Sequence, residues 1–224
     1  MEIVLSLIVV LLLTILGYIY LIYMHIKESE GNMKEIKSYI PTSLKKIMLL
    51  VMPLMVGTAL IIMLHIYYPN AAILHNMKLL SLVMIIFPIA VSDYRKHIVP
   101  NKILIFALAL RLIIYIFEFI KSTSEAFETL KGDVIGAAIV GAFFLLCILI
   151  IKNSVGMGDI KLFVVMGLYQ GMWGCINSIF WALVVSFVVS IVLLISKKKT
   201  RKDAIPFGPS VLIGTIIAIA ISGM

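Results

Sequence analysis

Charged residues are scarce in this chain of 224 residues. Only 13% of its residues are charged, 62% are apolar, and the mean hydropathy is +1.16. A water-soluble domain of this size would need a larger polar surface, because about a quarter of the residues in an average soluble protein are charged. The composition excludes an ordinary soluble globular protein and indicates a protein of the lipid bilayer.

Cysteine and histidine are rare as well. Cys147 and Cys175 are the two cysteines, and they form neither a CxxC pair nor a zinc-ligand spacing. We interpret both as buried apolar side chains. Histidine occurs at four scattered positions without ligand spacing: His25, His65, His75 and His97. The sequence therefore predicts no metal site and no cofactor.

Long apolar runs, by contrast, are abundant. A transmembrane helix needs about 20 consecutive, mostly apolar residues. The runs predict an all-α, polytopic transmembrane bundle of about eight spans. Six or seven spans are alternatives, because the third and sixth runs are short and only YQGMWGCIN (169–177) separates the sixth from the seventh. The predicted spans are 3–24, 47–68, 79–92, 103–119, 134–151, 162–176, 177–195 and 206–222.

The basic residues predict the orientation of these spans. Most of the 19 Lys and Arg residues fall in alternate loops, within 27–46, 95–102, 152–161 and 197–202. Because loops rich in Lys and Arg stay in the cytoplasm, the N-terminus is predicted to lie outside. The net charge of +8 then reflects the basic loops that orient the spans in the membrane. No nucleic-acid partner is expected, because no basic stripe with interleaved aromatic residues occurs.

No predicted loop is long enough for a second folded module. The largest, 25–46, is predicted to be a short cytoplasmic loop without a folded insertion. Residues 1–224 are therefore predicted to form a single membrane-embedded domain. The N-terminal run follows only Glu2 and lacks a small-residue cleavage site, so we interpret it as a retained span and not as a signal peptide.

Two carboxylates lie at span ends that the predicted topology places on the cytoplasmic side. Asp93 ends the third span in AVSDYRKHIVPNKIL (90–104), and Asp159 precedes the sixth in SVGMGDIKLF (154–163). Glu28, Glu30 and Glu35 are expected in a solvated loop, and Asp133 is expected in or beside the outer loop, as are Glu125 and Glu128. Glu118 is expected to pair with Arg111, seven residues earlier on one helix face.

Two carboxylates brought close together cannot both ionise cheaply, so they share one proton and titrate as a unit. The ionised member can take a proton from water while the neutral member donates to a peptide carbonyl, as in aspartic proteases. Gly156 and Gly158 are expected to allow backbone conformations closed to other residues and to permit close approach of a helix or substrate.

Three motifs resemble those of type IV prepilin peptidases, which are GxGD membrane aspartic proteases. GMGDIKL (156–162) is similar to their second aspartate motif, and SDYRKHIVPNKI (92–103) is similar to the first aspartate region. IPFGPSVLIGT (205–215) resembles the Pro-Phe-Gly-Pro element that opens the last span of the family. The resemblance covers about residues 80–215.

The resemblance implies a reaction and a site. Such enzymes cleave the basic leader from membrane-inserted, prepilin-like proteins at the cytoplasmic face of the cell membrane. Asp93 and Asp159 match the catalytic pair, and Gly156 and Gly158 match the motif glycines of the active-site loop. Glu28, Glu30 and Glu35 are candidates for holding the basic leader.

The chain departs from longer family members, which carry an insertion with paired CxxC motifs that is linked to N-methylation of the trimmed pilin. Residues 25–46 contain no cysteine, so N-methyltransferase activity is not expected. The layout is similar to that of tight-adherence prepilin peptidases and archaeal preflagellin peptidases.

Three other functions are alternatives. Another GxGD protease, of the presenilin kind, would carry a Tyr-Asp first motif within a span, whereas here Ser92 precedes Asp93 and Tyr94 follows it. A proton- or ion-coupled transporter could use the same carboxylates. A non-catalytic membrane scaffold would not require both aspartates and both glycines.

Overall fold

A computed structural model describes residues 2–28, 44–151, 155–197 and 205–223. Within these ranges the chain forms seven helices and no strand, which confirms the prediction of an all-α fold. The helices are α1 (Glu2–Glu28), α2 (Leu44–Tyr67), α3 (Ile73–Lys96), α4 (Asn101–Lys121), α5 (Thr123–Ile150), α6 (Met157–Ile195) and α7 (Gly208–Ser222).

Six of these helices, α1 to α6, are long and apolar enough to cross a membrane, while α7 is shorter. The polytopic bundle predicted from the sequence is therefore confirmed. The third predicted span, 79–92, extends into its flanking residues, as its short length indicated, because α3 begins at Ile73 and ends at Lys96. Polar residues such as Asn76 and Lys78 are part of this helix, and hydropathy alone does not count them as membrane sequence.

Helix α6 is broken at Gly171. Its 39 residues would extend about 58 Å if straight, roughly twice the thickness of a bilayer core. Gly171 instead has φ 66° and ψ −171°, a backbone conformation that is essentially restricted to glycine. We name the segments before and after the break α6a (157–170) and α6b (172–195).

The chain turns back on itself at this break. The Cys175 Sγ atom lies 3.5 Å from the Phe163 carbonyl oxygen, whereas twelve residues of straight helix would separate them by about 18 Å. Ser178 Oγ likewise lies 3.0 Å from Gln170 Oε1. The break falls inside the 169–177 segment that the sequence indicated as the boundary between two spans.

The chain forms two compact units, Met1–Pro88 and Ile89–Met224. The first contains α1, α2 and most of α3. In this unit a Cβ atom at Gly57 would lie 2.5 Å from Val10 Cγ1, so the absence of a side chain lets α2 approach α1 closely. Residues 29–43, most of the predicted 25–46 loop, lie outside the described residues, as do Glu30, Glu35 and the side chain of Glu28. The single-domain prediction stays a prediction.

Small residues also bring the helices of the second unit together. A Cβ atom at Gly167 of α6a would lie 2.7 Å from the Cα atom of Ala137 in α5, and one at Gly214 of α7 would lie 2.6 Å from the Cα atom of Ala182 in α6b. Membrane helices pack closely through such positions. The beginnings of α6 and α7 and the end of α3 all lie at one site, described next.

Candidate active site

Asp93 lies in the last turn of α3 and is only 6% exposed. Its Oδ2 atom accepts a hydrogen bond of 2.6 Å from the backbone N–H of Gly208, the first residue of α7. The helix ends at Lys96, because the next residue, His97, adopts a left-handed conformation with φ 53°. The His97 N–H donates to the Asp93 carbonyl oxygen at 2.8 Å.

A short loop then connects α3 to α4. The Ser92 hydroxyl donates to the Ile98 carbonyl oxygen at 3.1 Å. Pro100, with φ −73°, is the N-cap residue of α4, where its missing N–H is not needed. The loop is held close to the end of α3, and this places Val99 against the beginning of α6.

Asp159 lies in the first turn of α6 and is partly buried. Gly156 is the N-cap residue, and its carbonyl oxygen accepts from the N–H of Asp159 at 3.0 Å. The two carboxyl groups, 66 residues apart in sequence, lie close enough to interact electrostatically. The structure therefore brings together Asp93 and Asp159.

Gly156 and Gly158 contribute space to this site. A Cβ atom at Gly156 would lie 3.0 Å from Asp159 Oδ2, and one at Gly158 would lie 3.0 Å from Val99 Cβ. These contacts are with a side chain of the same turn and with a loop residue, so the close approach of a helix or substrate stays a prediction. The expected unusual backbone conformation is wrong, because neither glycine has a positive φ and Gly156 has φ −68°.

The beginning of α7 belongs to the site, although the sequence analysis gave it no role there. Gly208 is buried and its N–H contacts Asp93, while Phe207 is the N-cap residue. The Pro-Phe-Gly-Pro string was the available signal. It indicated that a helix begins there. It did not indicate that the beginning of this helix would contact Asp93, which lies 115 residues earlier in the sequence.

Basic residues lie near both carboxyl groups in the sequence. Arg95 and Lys96 follow Asp93, and the Lys161 ammonium donates to the Asn101 side-chain oxygen at 3.2 Å. In the part of the chain that the structure describes, no ion pair involves Asp93 or Asp159. The same residues contain no group of three His, Cys, Asp or Glu side chains that could hold a metal ion.

Comparison with known proteins identifies the family. The sequence profile of the type IV leader peptidase family matches residues 79–194, just over half of the chain. The chain belongs to the type IV leader peptidase family. The matched residues include Asp93, Gly156, Gly158 and Asp159, so the resemblance found in the sequence is confirmed for the family. With its apolar helices, the chain is a multi-pass membrane protein of this peptidase family.

One curated relative is the prepilin leader peptidase/N-methyltransferase of Bacillus subtilis (strain 168). It is 28% identical over 134 residues, which are 58% of this chain and 50% of that protein. The chain thus spans about half the length of this leader peptidase. No solved structure is a significant match.

A second polar cluster in this leader peptidase family member surrounds Arg111 of α4. The predicted pair is confirmed, because Arg111 Nη1 lies 3.1 Å from Glu118 Oε1. Asp133, which was expected in or beside the outer loop, lies within α5 and is only 4% exposed, and its Oδ2 atom accepts from Arg111 Nη2 at 2.5 Å. We name Arg111, Tyr115, Glu118 and Asp133 the arginine cluster.

The arginine cluster supports the break in α6. The Leu168 carbonyl oxygen would normally accept from the N–H four residues later, which lies beyond Gly171. It accepts instead from Arg111 Nε at 2.9 Å and from the Tyr115 hydroxyl at 3.3 Å. The Tyr115 hydroxyl also contacts Asp133 Oδ2 at 2.9 Å. These contacts satisfy a buried carbonyl group that the break leaves without a helical partner.

Proposed function

We propose that this chain is a membrane-embedded aspartic endopeptidase that removes the basic leader from prepilin-like proteins. The observation that supports the proposal is that Asp93 and Asp159, at the ends of two helices, lie within electrostatic range of each other. Neither carboxyl group has a basic partner among the described residues. A carboxyl pair of this kind can share one proton, which is the property that aspartic proteases use.

The reaction follows from that shared proton. The ionised carboxylate removes a proton from a water molecule, whose oxygen then attacks the scissile peptide carbonyl. The protonated carboxyl group donates its proton to the carbonyl oxygen, which gives a neutral tetrahedral intermediate. Proton transfer to the leaving nitrogen then breaks the C–N bond. The reaction forms no covalent bond between the enzyme and its substrate.

The proposed site faces the cytoplasm. The positive-inside distribution of Lys and Arg supports an N-terminus outside, and this orientation puts the C-terminal end of α3 and the start of α6 on the cytoplasmic side. A substrate whose apolar segment lies in the bilayer would then present its leader at the membrane surface. The name of the Bacillus subtilis relative includes prepilin leader peptidase, which agrees with this substrate class.

We propose leader cleavage without N-methylation, although the relative's name also includes N-methyltransferase. The basis is the absence of cysteine from residues 25–46. No specific observation favours the transporter alternative, because Asp93 and Asp159 lie in terminal helical turns and not at the middle of a span.

The experiment compares two variants of the site with one matched control. Purified wild-type protein, Asp93→Asn and Asp159→Asn are incubated in detergent with a membrane-inserted prepilin-like substrate, and cleavage is measured by mass spectrometry. Both variants are expected to lose at least about three orders of magnitude in rate, because an amide cannot exchange the catalytic proton. Glu128→Gln makes the same chemical change on an exposed side chain and is expected to cleave normally.

Thermal unfolding separates loss of catalysis from loss of the fold. Asp159→Asn is expected to unfold within a few degrees of wild type, because its carboxyl group has no ion pair among the described residues. Full cleavage by either aspartate variant would refute the mechanism. Cleavage lost in Glu128→Gln as well would show that the assay reports something other than this pair.

A further inference from the structure

We propose that Gly208, at the beginning of α7, is a positioning residue for the carboxyl pair. Its backbone N–H holds the carboxyl group of Asp93, and the neighbouring Phe207 fixes the same turn to the helix that carries Asp159. The inference rests on the proposed peptidase function. It adds a third segment to the site, one that carries no reacting group itself.

The hydrogen bond is the first observation. The N–H groups of the first helical turn have no acceptor within their own helix, so each needs another partner when it is buried. Gly208 is buried, and its N–H donates to Asp93 Oδ2 at 2.6 Å. This bond fixes one oxygen of the Asp93 carboxyl group and restricts rotation about its side-chain bonds.

The lack of space around Gly208 is the second observation. A Cβ atom at this position would lie 2.9 Å from Asp93 Cβ, 3.1 Å from Asp93 Oδ2 and 3.2 Å from Ala90 Cα. The residue does not have a positive φ, so its backbone conformation does not require glycine. Glycine is required because α7 begins directly against the backbone of α3 and the side chain of Asp93.

The packing of Phe207 is the third observation. Its ring lies 6.1 Å from the ring of Phe163 in an edge-to-face arrangement, and Phe163 lies 4.7 Å from Phe144. Phe163 follows Asp159 by four residues, so both lie on one face of α6a. Two consecutive residues of the turn therefore contact the two helices that carry Asp93 and Asp159.

The consequence for catalysis is a fixed geometry. A reacting group displaced by about 1 Å can lower a rate by about 100-fold. Alanine at position 208 must push α7 away from Asp93, which lengthens the hydrogen bond and releases the carboxyl group. We expect Gly208→Ala to lower kcat by about 10- to 100-fold while KM stays within about twofold, because no substrate contact is removed.

Two other glycines provide matched controls for the kinetic test. Gly132→Ala adds the same methyl group where no atom lies within 4 Å, and it is expected to leave kcat and KM unchanged. Gly214→Ala creates a clash between α7 and Ala182, remote from Asp93, and is expected to lower the melting temperature more than kcat. An unchanged kcat in Gly208→Ala, or an equal fall in kcat in Gly214→Ala, would overturn the inference.

A second measurement tests the hydrogen bond without any cleavage. Protein labelled with [15N]glycine is studied by NMR in detergent micelles, and the Gly208 signal is assigned by its loss in Gly208→Ala. Removal of the acceptor in Asp93→Ala is expected to speed exchange of the Gly208 N–H with solvent at least tenfold. Asp159→Asn, which leaves the acceptor in place, is expected to leave this exchange unchanged.

The two proposals fail in different ways. A wild-type protein that does not cleave prepilin-like substrates would refute the proposed function, whatever the NMR signal shows. A wild-type protein that cleaves, together with an unchanged Gly208 exchange rate in Asp93→Ala, would refute only the positioning role.

Discussion

Among the described residues of the unit Ile89–Met224, buried or partly buried carboxyl groups occur in two places, and their partners differ. In the arginine cluster, the guanidinium of Arg111 binds Asp133 and Glu118 and stacks 3.7 Å above the ring of Tyr115. At the candidate active site, Asp93 accepts a backbone N–H from Gly208, and within the described ranges no cation pairs with it or with Asp159.

The difference separates the structural role of the arginine cluster from the catalytic role that we propose for Asp93 and Asp159. A carboxylate bound by a buried guanidinium is held in its charged form and is therefore poorly suited to exchanging protons. Two carboxyl groups next to each other without a cation can share a proton and transfer it during a reaction. Burial of an acidic residue is thus not by itself a functional signal, and the partner decides its role.

The same comparison explains why a polar residue is tolerated at the middle of α4. Arg111 is only 1% exposed, and its three donor nitrogens have acceptors in α4, α5 and α6. The arginine cluster links these three helices near the break at Gly171. Its expected contribution is to the stability of the fold and not to the reaction.

The largest expected effect on stability comes from removing the cation of the arginine cluster. Arg111→Met retains much of the side-chain length but leaves Asp133 and Glu118 buried without their charge partner. Breaking a buried pair in this way costs about 3–5 kcal/mol. The free energy of unfolding, measured by SDS titration in mixed micelles with tryptophan fluorescence as the signal, is expected to fall by that amount.

Lys131→Met is the matched control for this variant. Lys131 pairs with Glu128 at 2.9 Å, but their side chains are 54% and 76% exposed. Exposed pairs contribute less than about 1 kcal/mol. If both variants lost the same stability, or if Arg111→Met lost none, the structural role of the arginine cluster would be wrong.

Sequence patterns within single helices predicted local features well. The spacing of seven residues between Arg111 and Glu118 predicted their ion pair, because both lie on one helix face. Apolar runs predicted the helices, and Gly171 lies in the segment interpreted as a boundary between spans. Each of these features depends on residues that are near in sequence.

Contacts between distant segments were not predictable in the same way. Asp133 ends the polar segment ETLKGD (128–133), which is typical of a loop, and only tertiary packing brings it to Arg111. The contact of Gly208 with Asp93 likewise depends on how α7 packs against α3. Periodicity likewise does not reveal the dihedral angles of Gly156 and Gly158, neither of which has a positive φ.

An intermediate effect is expected at the break in α6. Gly171→Ala introduces a side chain at φ 66° and ψ −171°, which costs about 1–3 kcal/mol. The added Cβ atom would meet only Asp133 Oδ1, at 3.6 Å, so the cost is conformational and not steric. The melting temperature is expected to fall.

Gly132→Ala is expected to have the opposite effect and to raise the melting temperature. Gly132 lies within α5 with open space around it, and alanine in a helix is more stable than glycine by about 0.5–1 kcal/mol. Thermal unfolding of the two variants side by side measures this difference. If Gly171→Ala melted at or above the temperature of Gly132→Ala, the interpretation that the chain reverses through a strained backbone conformation at Gly171 would be wrong.

The smallest expected effect belongs to Glu118. In the described part of the chain, its Oε2 atom is buried without a hydrogen-bond partner, and only Oε1 accepts from Arg111. Asp133 Oδ2, in contrast, accepts from both Arg111 and Tyr115. Glu118→Gln keeps an oxygen acceptor and removes the surplus negative charge of the arginine cluster, so we expect a loss below about 1 kcal/mol. SDS titration of Glu118→Gln and Arg111→Met side by side compares their losses in the free energy of unfolding. A loss as large as that of Arg111→Met would mean that the guanidinium needs both negative charges, and the two carboxylates would then be equal partners in the arginine cluster.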